Sequence, residues 1–262
     1  MRTLRAICHI TVLLALLATT GCLQIEQILL LRKDGSGTFD VNYTIPNETS
    51  ERIQAMLRLT REMALAAGDA APAPAEDDFT RMLFKPKKSE IETLLASYRE
   101  HGIRVLNLKV ENRNAAYEVA LKVEFDDIAR VAKADFFERY GFSMVRTSKG
   151  NYLLYTRPAT DEPMDPAWNA NNTEALSRLT PFLNGFAFAL EVHTPGRVIK
   201  TNADSRTSYT AEWEFRFAQD PNAVSELQRK RMTVLFDGTG IEELKDLHQP
   251  EPDDAESDTP SS

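Results

Sequence analysis

Residues 25–45 read IEQILLLRKDGSGTFDVNYTI, and this stretch decides the fold. Ile25 to Leu31 is an apolar run broken by Glu26 and Gln27. Asp34-Gly35-Ser36-Gly37 follows. Then Phe39, Val41, Tyr43 and Ile45 alternate with Thr38, Asp40, Asn42 and Thr44. Alternation with period two marks a strand with one buried and one wet face. Asp-Gly between two such runs signals a hairpin, because the primed turn needs positive φ. Asp34 to Gly37 lacks the spaced acidic ligands of a calcium loop.

The same grammar repeats outward. Residues 105–110 and 117–125 pair as strands around Asn112-Arg113-Asn114, with Val105, Asn107 and Lys109 on one face of the first. Residues 142–146 and 152–156 pair around Ser148-Lys149-Gly150-Asn151. Residues 186–192, 197–200, 209–217 and 232–236 read as further strands. Residues 47–67 keep helical spacing, with Asn47 or Ser50 as cap. Ser89 and Glu92 fit a capping box for a helix that Gly102 stops. Asp126-Asp127 opens a short helix at 128–134, and acids suit the positive end of its dipole. A helical pattern starts at Thr173, and a short one covers 224–228. The expected class is α+β: an antiparallel sheet built from hairpins, with amphipathic helices on one face.

The N-terminus gives the compartment. Arg2 and Arg5 precede an apolar run, Ile7 to Ala18, too short for the roughly 20 residues that span a bilayer. It ends in Leu17-Ala18-Thr19-Thr20-Gly21-Cys22, which reads as a lipobox with Thr19 where leucine is usual. Residues 1–21 are therefore expected to be a cleaved signal peptide, with Gly21 and Cys22 flanking the cut. Cys22 is the expected lipidation site, palmitate included. Cys8 leaves with the leader, so Cys22 has no partner thiol in its own chain. More than one acyl chain gives stable anchoring. Leu23 is not the aspartate of inner-membrane retention, which favours an outer membrane facing the periplasm.

Residues 22–247 are expected to form a single α+β envelope domain, with loop excursions near 69–78 and 158–170, the second holding Trp168. Residues 248–262 form an acidic tail expected to be disordered. The net charge is −8, and losing Arg2 and Arg5 takes it to −10. That balance lacks the basic footprint nucleic acid requires.

No catalytic constellation emerges. The histidines are His9, His101, His193 and His248, with no i,i+4 pair for zinc. Gly-x-Ser-x-Gly, a Walker loop and a dinucleotide fingerprint are absent. The expectation is no enzyme, no cofactor and no metal. Tyr98 with His101 reads as a core tyrosine beside a surface histidine. Phe186, Phe188, Trp213 and Phe215 make one strongly aromatic sheet face and are the candidate lining of a pocket for an apolar or lipid ligand. The alternative is a scaffold lipoprotein that recruits an envelope protein partner.

Several stretches together resemble bacterial lipoproteins with an LppM-type domain. They are Gly21-Cys22 before a strand, Asp34-Gly35-Ser36-Gly37-Thr38, Phe125-Asp126-Asp127, Pro195-Gly196-Arg197-Val198, Asn202-Ala203-Asp204 and Trp213. The resemblance implies a secreted, lipid-anchored α+β domain with an antiparallel sheet, and brings no catalytic residues. Ala70 to Ala75 and the link around Trp168 depart from it.

Overall fold

The computed structural model describes residues 23–66, 83–131, 142–156, 186–216, 220 and 223–241. Gly21, Cys22, the excursions at 69–78 and 158–170, Trp168, the pattern from Thr173 and the tail 248–262 lie outside the described residues.

The strands are β1 (Gln24–Leu31), β2 (Gly37–Pro46), β3 (Ile103–Arg113), β4 (Ala116–Phe125), β5 (Phe142–Arg146), β6 (Tyr152–Thr156), β7 (Ala187–His193), β8 (Val198–Thr201), β9 (Ser205–Arg206), β10 (Thr210–Arg216) and β11 (Thr233–Phe236). The helices are α1 (Asn47–Ala66), α2 (Lys88–Ser97, continued by a 3₁₀ turn at Tyr98–His101), α3 (Ile128–Val131) and α4 (Ala223–Arg229). The class is α+β with mostly antiparallel sheets, as the alternation predicts.

Two sheets form. A seven-stranded sheet runs β3-β4-β2-β1-β7-β10-β9, and a four-stranded sheet runs β5-β6-β11-β8. One pair is parallel: β1 lies beside β7 from Gln24↔Ala187 to Leu30↔His193. A hairpin reading cannot anticipate this pair, because its strands are far apart in the chain. The small sheet packs on one half of the large sheet's inner face. Phe39 meets Phe142 edge-on at 5.5 Å, and Tyr152 stacks on Phe236 at 5.9 Å. One apolar cluster spans both sheets, with Leu29, Phe125, Trp213, Tyr152 and Phe236 each 1% exposed. Burial on this scale, at roughly 25 cal/mol per Å² of apolar surface, supplies the main stabilising term.

Local geometry corrects four readings. The β1–β2 connection is a three-residue loop, Lys33-Asp34-Gly35, closed by Arg32 N–H to Ser36 O at 2.8 Å and Gly35 N–H to Arg32 O at 3.1 Å. Gly35 alone in it is left-handed, at φ 82°, so this is a type I turn with a bulge, not a two-residue primed turn. Asp34 accepts the Ser36 hydroxyl at 2.7 Å and the Ser36 N–H at 3.0 Å, and these bonds hold its carboxyl below the usual carboxylate range.

Second, the Ser89/Glu92 capping box does not form. Helix α2 starts at Lys88, capped by Lys87 without a side-chain bond, so Ser89 falls inside it and its carbonyl accepts the Thr93 hydroxyl. Third, Ser50 is buried and donates to the Phe84 carbonyl, while the Asn47 side chain pairs with Asn112. Fourth, β3 carries a bulge between Val105 and Asn107. Leu106 is the extra residue, 52% exposed, and the bulge puts Val105 on the face of Leu108 and Val110. A bulge at a sheet edge also discourages pairing with another chain.

Other readings hold locally. Asp127 caps α3 through Ala129 N–H at 2.8 Å, and Gly102 ends the second helix at φ 76°. Tyr98 is buried and His101 half-buried.

Candidate functional site

The inner face of the large sheet is a stack of rows, each crossing several strands. Ile103, Phe125, Gly37 and Leu31 make the first row. Val105, Val123, Phe39, Leu29, Val192 and Ala211 make the second. Every member of these rows except Val105 is buried. Gly37 is required here by close approach. A Cβ on it would stand 2.2 Å from the Leu30 carbonyl oxygen and 2.4 Å from the Phe125 ring.

The next two rows differ. Leu108, Leu121, Val41, Gln27, Leu190 and Trp213 form one; Val110, Val119, Tyr43, Ile25, Phe188 and Phe215 form the other. On β7 and β10 they are buried. Toward β1–β4 most are half-buried, namely Ile25, Gln27, Val41, Tyr43, Leu108, Val110 and Leu121, while Val119 between Val110 and Tyr43 is buried at 4%. These residues make an apolar floor continuous with the core, with Gln27 and the Tyr43 phenol as its polar points. Desolvation pushes the Tyr43 hydroxyl above its ordinary value of 10, so it stays neutral.

The crevice lined by Leu29, Phe39, Ile103, Val123, Phe125 and Phe142 is too small to hold a water molecule. A second gap, beside Leu31, Met144, Tyr152, Pro195 and Phe236, holds about 10 Å³, at the lower limit for one water.

The four aromatics named from the sequence fall at the junction of floor and core. Phe188, Trp213 and Phe215 are 9%, 1% and 3% exposed, and Phe186 is half-buried and packed on the same cluster. Phe188 and Phe215 contact each other at 6.1 Å. Neither gap described above reaches them. The Trp213 indole N–H donates to Asn202 Oδ1 at 3.0 Å. The same oxygen accepts Thr233 N–H at 2.9 Å, and Asn202 Nδ2 donates to the Arg231 carbonyl at 2.7 Å. Asn202 thus ties β10 of the large sheet to β11 of the small one. Sequence reading takes Asn202 for a turn residue. Its linking role needs the spatial meeting of segments 30 residues apart.

The outer face is polar. Arg104 bridges Glu124 at 3.1 Å and Asp126 at 3.0 Å, and Arg32 meets Glu124 at 3.2 Å. His193 lies on this face, 2.9 Å from Glu191. Among the described residues no group of three or more His, Cys, Asp or Glu is placed to hold a metal ion. None of the described helices is long and apolar enough to cross a membrane.

No family model matches the sequence. No curated protein matches it either. The structure is similar to the NMR structure of the folded domain of the Mycobacterium tuberculosis LppM protein, at 14% identity and a TM-score of 0.38, over 82% of this chain and 90% of that one.

Proposed function

We propose that the protein is an envelope lipoprotein, anchored by acyl chains on Cys22, that binds an apolar or lipid ligand on the floor and catalyses no reaction. The observation that carries this reading is the floor itself. Ile25, Val41, Leu108, Val110 and Leu121 are half-buried apolar neighbours, while Leu29, Phe39 and Val123, one row away on β1, β2 and β4, are buried. Contiguous apolar surface rimmed by polar residues marks a binding site more often than a surface accident. Phe188 and Phe215 continue the same row where it is buried, and Phe186 packs on the same cluster.

The test is extraction of the chain purified from its native envelope, followed by mass spectrometry. A copurifying lipid that is lost in Leu121→Asp, with the fold intact by circular dichroism, is the expected result. No copurifying lipid, and no rise in melting temperature when lipid is added, overturns the reading. The anchor is tested separately: Cys22→Ala moves the chain to the soluble fraction, and retention in membranes refutes lipidation at Cys22.

A further inference from the structure

The fold starts with no linker. Leu23 is buried, and its carbonyl accepts the Ala187 N–H at 3.0 Å. Cys22 is one peptide away, about 3.8 Å between Cα atoms. Whatever holds Cys22 therefore holds the end of the large sheet where β1 begins. Eight residues of β1 put its other end about 27 Å away.

Among the described residues the register shows what else lies at that end. The first β1–β2 rung is Gln24↔Thr44, and Thr44 pairs with Glu118. The β3–β4 hairpin continues two rungs past it, through Tyr117↔Asn112 and Ala116↔Arg113, before turning at Asn114-Ala115. The hairpin tip therefore projects beyond the start of β1. It is also rigid. Asn47 N–H donates to the Ala115 carbonyl at 2.8 Å, and the Asn47 and Asn112 side-chain amides exchange bonds of 3.2 and 3.3 Å. Asn114 and Ala115 are both left-handed, at φ 52° and 58°, and both are exposed. The Arg113 and Arg216 guanidiniums at this end are each paired, with Glu111 and Glu214. At the opposite end Lys33, Lys149 and Arg197 are exposed.

We infer that the tip of the β3–β4 hairpin, Arg113 to Ala115, rests in the head-group layer of the bilayer that holds Cys22. The docking partner is a lipid surface, and the inference rests on the reading of Cys22 as the acylated residue. A rigid, projecting tip with its charge paired enters an interface without stranding an unpaired charge.

The test uses the full acylated chain in phosphatidylcholine–phosphatidylglycerol vesicles. Acylation occupies the Cys22 thiol and Cys8 leaves with the leader, so a single introduced cysteine can carry an environment-sensitive fluorophore. Arg113→Cys and Lys149→Cys report the two ends, each checked for unchanged melting. With a quencher on the lipid head group, the label at 113 is expected to be quenched at least threefold more than that at 149. Equal quenching, or more at 149, overturns the docking. Flotation of the same samples reads the anchor: a chain that does not float with vesicles refutes both the anchor and the docking. A chain that floats and docks but carries no extractable lipid leaves the docking standing and removes the ligand reading.

Discussion

The two halves of the large sheet's inner face use the same strands and the same alternation, yet one is sealed and the other half-open. Leu29, Phe39 and Val123 are buried, whereas Ile25, Val41 and Leu121, two to four positions away on the same strands, are half-buried against the same cluster. Residue type does not separate them, since both sets are aliphatic or aromatic. The difference is what stands opposite. Among the described residues Phe142 of β5, with Ile128 and Val131 of α3, closes over the first set. Alternation thus selects a face, and long-range packing decides which part of that face becomes core.

The largest expected effect is in the sealed half. Gly37→Ala puts a methyl against the Leu30 carbonyl and the Phe125 ring, and neither β1 nor the ring has space to retreat. A loss of about 3 kcal/mol or more is expected, read by urea denaturation, because overpacking a filled core costs about 1–3 kcal/mol even without a backbone clash. A loss under about 1 kcal/mol would mean that the sealed half is looser than its crevice of no free volume implies.

A matched pair then measures the contrast directly. Leu29→Ala removes a side chain 1% exposed and should cost about 3 kcal/mol, within the range for buried leucines. Leu121→Ala, half-buried, should cost about 1 kcal/mol, as partial exposure forfeits part of the transfer term. It should also weaken lipid retention, which Leu29→Ala should leave unchanged in the folded fraction. Equal costs would erase the distinction between the halves.

Much of this was readable from the chain, for local reasons. Phe39, Val41, Tyr43 and Ile45 declare one face of β2, and Asp127 declares the start of α3, because the signals lie within a few residues. The misread elements each involve a rival close by. Ser89 lost its cap role when the helix began one residue earlier, at Lys88. Leu106 broke the alternation of β3 because a bulge leaves no periodic signature. The floor was invisible for a different reason. Nothing in Ile25 or Leu121 distinguishes a half-covered residue from a core one. The aromatic count drew attention to Phe188, Trp213 and Phe215, which the fold places beside the floor and buries.

The link between the sheets yields a smaller effect. Trp213→Phe keeps the buried ring but removes the N–H to Asn202 Oδ1, which still accepts Thr233 N–H. A loss of about 1 kcal/mol is expected, the net value of one hydrogen bond plus a small void. Thermal unfolding followed separately by near-ultraviolet and far-ultraviolet circular dichroism checks whether the sheets still unfold together. Divergent transitions would show that the staple, more than the shared core, couples them.

The smallest effect asks whether the half-open floor is dry. Burial raises the Tyr43 hydroxyl above 10 in the folded chain, while in the unfolded chain it titrates near 10. The folded state then resists losing this proton and the unfolded state does not. The contribution is intact below pH 10 and is lost as the pH rises beyond it, with a slope of at most about 1.4 kcal/mol per pH unit for one proton. Comparing Tyr43→Phe with the parent by urea denaturation between pH 9 and 11 isolates this residue, since every other group is common to both. The parent should lose stability more steeply above pH 10, and the two curves should run parallel below it. Parallel curves throughout would mean that water reaches the phenol as freely as in the unfolded chain. The floor would then be a wet surface, and the contrast between the two halves would be one of solvation as well as cover.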